Sequence, residues 1–377
     1  MIGIGLGLTT LRGGGGGPPA PSAFSPLEMF GPGVPGVWFD ASDMSTLFQD
    51  SAGTTPVTTA GQPVGRMLDK SGNGNHATQA TAARRLRYQT GPARATVDKV
   101  DDRLIVTVPA GDFTGTMVLG TDQGTASYGV TIPSGAYDIG GIGGQYFPGN
   151  AIVGQLIRNG ALSAGEAATT EAYFVANGAT ASYGAVTDFT SFWRNRTELT
   201  SFPLIDTSAG TDFSFAWFNC GSLTSFPLIN TSAGTDFSSA WRNCTSLTSF
   251  PLINTSAGTN FNLTWLNCES LTSFPLIDMS AGTDFSSAWR NCDNLTTFPA
   301  NAFDNISGGN FAEAFSITAL TQTSIDNILV SLVASGIAAG TPVFDQSGGS
   351  APSVGTGRPA IDTLRLRGWT VTVTGDY

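Results

Sequence analysis

Four cysteines, Cys220, Cys244, Cys268 and Cys292, are the residues of this 377-residue chain whose type best suits metal binding or nucleophilic attack. Zinc ligands come in close pairs such as C-x2-C, whereas these four stand one residue per 24 with nothing at ligand spacing between them. His76 is the only histidine, so any Ser-His-Asp or Cys-His arrangement has to use it, and it lies in the Gly/Asn turn SGNGNHA. The run Asp69-x-Ser71-x-Asn73-x-Asn75 alternates oxygen side chains with Gly74 in sixth place, as in a calcium loop, but Ala80 stands where the bidentate Glu belongs. These four are weak candidates for a cation site, with a well-formed turn as the competing reading. Asp40/Asp43 and Asp101/Asp102 are carboxylate pairs of the kind glycoside hydrolysis needs, yet no strand carries an E-x-D-x-x-E-like spacing. Gly140 to Gly144 form a Gly-rich turn with no Lys-Ser/Thr after it, which excludes a phosphate loop. No catalytic residue and no cofactor is expected.

The cysteines are copies of one position in a repeat. Phe recurs at 189, 213, 237, 261 and 285, and Asn at 195, 219, 243, 267 and 291, in phase with Trp193, Trp217, Trp241, Trp265 and Trp289. Leu and Phe-Pro follow in each copy, giving five copies of 24 residues. Such copies stack, each inner position resting on the same position of the next coil at a strand spacing of about 4.8 Å. Cys and Trp then form buried structural ladders, Cys serving as a small hydrophobe. The Asn after each Trp is expected to close a turn by bonding the adjacent coil, and the Gly of TSAG to take positive φ. The Pro of FPL sits awkwardly in a parallel strand, where it removes a ladder donor. Arg196 replaces Cys in the first copy, and the last, Phe303 to Leu320, is stretched and lacks Cys. Terminal coils have to differ in this way, because a bare end exposes core. Beyond them, Thr323 to Asp326 can cap a helix, PAIDTLRLRG reads as a second helix and WTVTVTG as a strand.

Upstream, residues 1–35 are Gly- and Pro-rich and read as a linker or as an anchor that orders on a partner. Residues 36–178 are short alternating runs between turn signals, the pattern of an antiparallel sandwich. Ser163, three residues before Glu166, opens a short helix through Tyr173 and Phe174. The organisation is thus 1–35 anchor or linker, 36–178 sandwich, 179–320 coil stack and 321–377 cap, a mostly β chain ending in an α/β cap. With 28 acidic against 17 basic residues, net −11, a nucleic-acid partner is excluded. No apolar run approaches the roughly 20 residues of a membrane span. The start, MIGIGLGLTTL, has no cationic region and makes a poor secretory signal, so synthesis in a reducing cytosol is expected.

Several of these motifs carry a resemblance. Trp38-Phe39-Asp40, Leu68 to His76, Val97 to Leu104 and the LSAGE helix occur in the order seen in laminin-G or concanavalin-like jelly rolls. Lys99 departs from that family's F-D-G-V-D-D turn. Leu247 to Leu252 resembles the L-x-x-L-x-L strand of leucine-rich repeats. The order of parts, with LTSFPLI, AWRNC and LRGWTVT, is similar to tailed-bacteriophage virion proteins described as fibres or surface proteins. That resemblance implies a non-enzymatic virion surface component made in host cytoplasm, joined to other virion proteins through residues 1–35, homo-oligomeric, and contacting a host-surface glycan. The expected contact residues are Ser201, Ser225, Ser249 and Ser273, beside rows of Pro and Ile, with Arg194, Arg242 and Arg290 on another edge. A decoration protein without receptor contact, a leucine-rich-repeat adhesin and a polysaccharide depolymerase are the other readings.

Overall fold

A computed structural model describes residues 24–91, 94–96, 104–108, 113–132, 135–139, 151–177, 179–306, 308–337, 343–375 and 377. The chain is β-rich, with three α-helices among these residues. Its first part contains β1 (Gly36–Asp40), β2 (Leu47–Phe48), β3 (Pro63–Val64), β4 (Arg66–Met67), β5 (Ala77–Thr78), β6 (Leu86–Gln89) and β7 (Arg94–Thr96). β8 (Leu104–Val108), β9 (Phe113–Thr121), β10 (Thr125–Ile132), β11 (Gly135–Ile139) and β12 (Ala151–Asn159) complete it. They form two antiparallel sheets. The smaller runs β11-β8-β5-β4-β2, and the larger runs from β10 through β9, β12, β7 and β6 to β3, with β1 also on β12. Helix α1 (Ala164–Ala176) begins at the expected capping box: Glu166 N–H donates to Ser163 Oγ (3.3 Å) and Ser163 N–H to Glu166 Oε2 (2.7 Å). α1 covers the outer face of the larger sheet, where Trp38, Val118, Val153, Leu156 and Phe174 make a second small core. Gly120 is required there, because a Cβ would stand 2.6 Å from that of Phe174.

The 24-residue copies are stacked coils. Phe213 N–H donates to Asp236 O of the next coil, Trp217 to Ala240 and Asn219 to Arg242, and the pattern repeats from coil to coil. Stacked indoles run from Trp193 through Trp217 (5.4 Å between rings), Trp241 (5.0 Å), Trp265 (6.1 Å) and Trp289 (5.2 Å), and Phe315 continues the column (5.0 Å). All four cysteines are buried free thiols. Each donates to the Trp carbonyl of the preceding coil, as from Cys244 Sγ to Trp217 O at 3.3 Å.

Local geometry differs from expectation in three respects. Positive φ falls on the Asn of every coil (58–63°), not on the TSAG glycine. That glycine is there for space: a Cβ on Gly234 would sit 2.5 Å from Phe237 Cζ. The Leu-Thr-Ser-Phe-Pro-Leu run is not a continuous strand. Thr248 N–H bonds Thr224 O, and the chain then leaves the ladder before Pro251, so the proline removes no donor. After Pro227, Pro251 and Pro275 a three-residue turn, closed for example by Ile253 N–H on Pro251 O (2.9 Å), breaks the alternation. Leu252 therefore points to solvent and Ile253 inward, reversing the expected exposed row of isoleucines.

The expected boundaries also shift. β13 (Leu199–Ser201), in the first coil, pairs with β10 through Gly129↔Ser201 and Val130↔Leu199, so it becomes an edge strand of the larger sheet. Arg196 and Glu198 form a buried ion pair at this junction, and one hydrophobic core runs from Val37 to Val373. Residues 24–35 likewise belong to the sandwich rather than to a separate tail. Phe24 meets Tyr173 edge-on (6.4 Å), Met29 and Phe30 pack on the core under α1, and Asn73 Nδ2 donates to Val34 O (3.1 Å). At the other end, β14 (Phe311–Phe315), β15 (Val343–Gln346) and β16 (Thr370–Thr372) form a parallel sheet that receives the last coil. Helices α2 (Gln322–Ala334) and α3 (Gly357–Leu366) pack beside it. The α2 cap is Thr321, two residues earlier than expected.

Candidate functional site

The candidate cation loop is spent on the protein itself. Asp69 Oδ1 accepts from Trp38 N–H (3.0 Å) and Ser71 N–H (2.9 Å), and Oδ2 accepts from Asn75 N–H (3.0 Å). Ser71 Oγ, Asn73 Nδ2 and Asn75 Nδ2 all donate toward the carbonyl of Gly36. Donors thus occupy the places a cation would need acceptors, and the loop staples β1 instead. His76 serves the same loop, its Nδ1 accepting from Asp69 N–H (3.0 Å). Burial, with the Arg66 charge nearby, lowers its pKa.

Asp40 and Asp43 are brought together, but on one cation. Lys70 Nζ lies 2.9 Å from a carboxylate oxygen of each and 4.4 Å from the Trp38 ring centroid. Tyr173 Oη donates to Asp40 (2.8 Å). Burial works against charge on Asp43, but hydrogen bonds from Ser45 and Lys70 outweigh it and hold the carboxyl below its usual range. A fixed pair of ion-bonded carboxylates does not flank an open space as hydrolysis requires. Asp101/Asp102, the Gly140–Gly144 turn and Lys99 lie outside the described residues.

The outward columns of the coil stack are the remaining candidates. Thr224, Thr248 and Thr272 are exposed, yet each hydroxyl donates to the carbonyl one coil back, as from Thr248 to Thr224 O at 3.2 Å. Ser225, Ser249 and Ser273 are exposed and make no hydrogen bond to a described residue. Ser201 is different: its Oγ accepts from Gly129 N–H (3.2 Å), which ties it into the sandwich edge and takes it out of the free row. Beside the serines runs a column that sequence reasoning missed, Leu204, Leu228, Leu252 and Leu276, 75%, 61%, 64% and 53% exposed. The Leu-Ile reversal after Pro, which depends on the local turn, hid it. Where this column ends, a cavity of about 420 Å³ is lined by Leu276, Asp278, Met279, Asn301 and Asn305.

The arginines occupy another column. The guanidinium carbon of Arg194 lies 5.0 Å from the Phe218 ring centroid and that of Arg242 lies 5.5 Å from it, while Arg290 is ion-paired with Glu313. No family model, curated protein or solved structure matches the chain. Among the described residues no group of three or more His, Cys, Asp or Glu side chains is placed to hold a metal, and no helix is long and apolar enough to cross a membrane.

Proposed function

We propose that the chain is a non-enzymatic bacteriophage virion surface protein, a fibre, spike or decoration. In this reading a concanavalin-like jelly roll carries a leucine-rich-type solenoid that meets a host-surface glycan. The observation that supports it is the in-phase exposure of Ser225, Ser249 and Ser273 beside Leu228, Leu252 and Leu276, a polar row and an apolar row repeating once per coil. A polymer that alternates hydroxyls with apolar sugar faces meets such a surface at several weak contacts, and many copies on one particle raise the total. Residues 1–35 join it to other virion proteins, and the assembled form is a homo-oligomer. The ion-bonded Asp40/Asp43 pair weighs against the depolymerase reading.

The test is adsorption of virions carrying Ser225→Lys, Ser249→Lys and Ser273→Lys together. Adsorption should fall while the copy number of the protein stays normal. Unchanged adsorption removes the serine row as a receptor contact and leaves the protein as a spacer or decoration.

A further inference from the structure

The stack carries a second period, two coils long. At the phase of Arg194, Arg242 and Arg290 the intervening coils have Phe218 and Leu266. Three residues earlier, Ser191, Ser239 and Ser287 alternate with Phe215 and Leu263. All five of these earlier positions have left-handed backbone, φ 53–60°. Ser tolerates that region better than bulky residues, so Phe215 and Leu263 add strain that the coil geometry itself does not demand. For Phe215 the placement is explained by its contact with an arginine. Arg194 lies over both Phe215 (5.5 Å) and Phe218 (5.0 Å), and Arg242 over Phe218 (5.5 Å). The rings lie against the Arg194 and Arg242 guanidinium groups, and Phe218 fills the coil between these two cations.

The resulting row has cations two coil spacings apart, about 10 Å, separated by apolar surface. The Arg242 guanidinium has no ion pair or hydrogen bond to a described residue, in a chain where acidic residues outnumber basic ones 28 to 17. The neighbouring Asp212, Asp236 and Asp284 direct Oδ1 to the N–H two residues on. Arg290, closed by Glu313, ends the row.

We infer that this column binds a linear acidic polysaccharide with one carboxylate per disaccharide. The inference rests on the glycan reading above and names the class of glycan. An extended β-linked disaccharide has about the length of two coils. Its carboxylate then meets an arginine, and its neutral sugar lies on the part-exposed Phe218 between Arg194 and Arg242, Leu266 being buried. A nucleic-acid strand presents a charge about every 3.4 Å, a pitch this row does not match. The chain's net charge of −11 confines attraction to within a Debye length of the row, so binding is salt-sensitive.

The test titrates the full-length protein with a hyaluronan decasaccharide at low and moderate salt. A neutral chito-oligosaccharide, a polygalacturonate oligomer and a single-stranded oligonucleotide are the comparators. Hyaluronan should bind about tenfold more tightly than the neutral oligomer, and Arg242→Gln should remove about that factor. Phe218→Arg halves the cation spacing and should shift preference toward polygalacturonate, which has a charge on every sugar. Arg242→Gln breaks no ion pair, so an unchanged melting temperature identifies its effect as binding. The inference is overturned if hyaluronan does not bind, if the neutral oligomer or the oligonucleotide binds as tightly, or if Arg242→Gln binds like the parent. Virion adsorption separates the two claims. Loss with the triple serine variant but not with Arg242→Gln sinks the arginine row alone. Hyaluronan binding that depends on Arg242, without any adsorption defect, sinks the receptor reading alone.

Discussion

Trp217, Trp241, Trp265 and Trp289 bury their indole N–H groups without an acceptor among the described residues, whereas Trp193 donates to Tyr128 Oη (3.1 Å). Each Trp meets Phe rings edge-on, as Trp241 does with Phe250 at 4.8 Å, so shape rather than hydrogen bonding selects it. Trp241→Ala should cost about 3–5 kcal/mol. Trp241→Phe should cost only about 1–2 kcal/mol, since it also removes an orphan donor, and Trp193→Phe about 1 kcal/mol more for the lost bond. Thermal unfolding of the three variants checks the order. The thiols make a pH prediction. Burial pushes Cys244 and Cys292 from 9.0 up to about 12, and raises Cys220 and Cys268 as well. The folded state keeps its protons where the unfolded chain has lost them, so this contribution is complete below about pH 9 and declines between 9 and 12. Melting temperature in reducing buffer should fall over that range, and less steeply for Cys244→Ala. An identical slope in the variant would contradict this assignment.

At the scale of elements, the first coil is held to the sandwich by β13 and by the buried Arg196–Glu198 pair. Arg196→Ala leaves Glu198 buried without its cation and should cost about 3–5 kcal/mol. Arg196→Met with Glu198→Leu should recover most of that loss, which a comparison of melting temperatures would show. Inward positions of the coils were legible because Phe, Trp, Cys and Leu keep one phase over 24 residues. So was α1, because Ser163 and Glu166 carry a complete capping signal. The β13 pairing was not legible, since it joins Gly129 to Ser201 across 72 residues with no local mark. The outward Leu column was hidden because one turn after Pro decides which of two adjacent apolar residues faces water. The TSAG glycine was misread for a related reason: Gly serves both for positive φ and for lack of volume, and only the neighbouring Phe ring tells which. The arginine row shows the same limit, because its positions were visible while the Phe and Leu that separate them read as departures from the repeat.

At the scale of the whole molecule, the sandwich, the stack and the parallel sheet share one continuous core. Residues 24–35 pack on the second, smaller core under α1, so truncation should be graded. Removing residues 1–23 leaves every described contact in place. Removing residues 1–35 exposes Trp38 and Tyr173 and should lower the melting temperature measurably; equal stability of the two truncated proteins would refute this placement. The continuity of the ladder has a further consequence in heredity. Adjacent copies are nearly identical, so misaligned recombination between them gains or loses whole coils, and each junction finds the same partner it had before. A single-coil change would put two arginines, or two apolar residues, side by side in the outer column. Changes by pairs keep the alternation, so descendants that rely on the row should differ in length by multiples of 48 residues, about 10 Å of stack at a time.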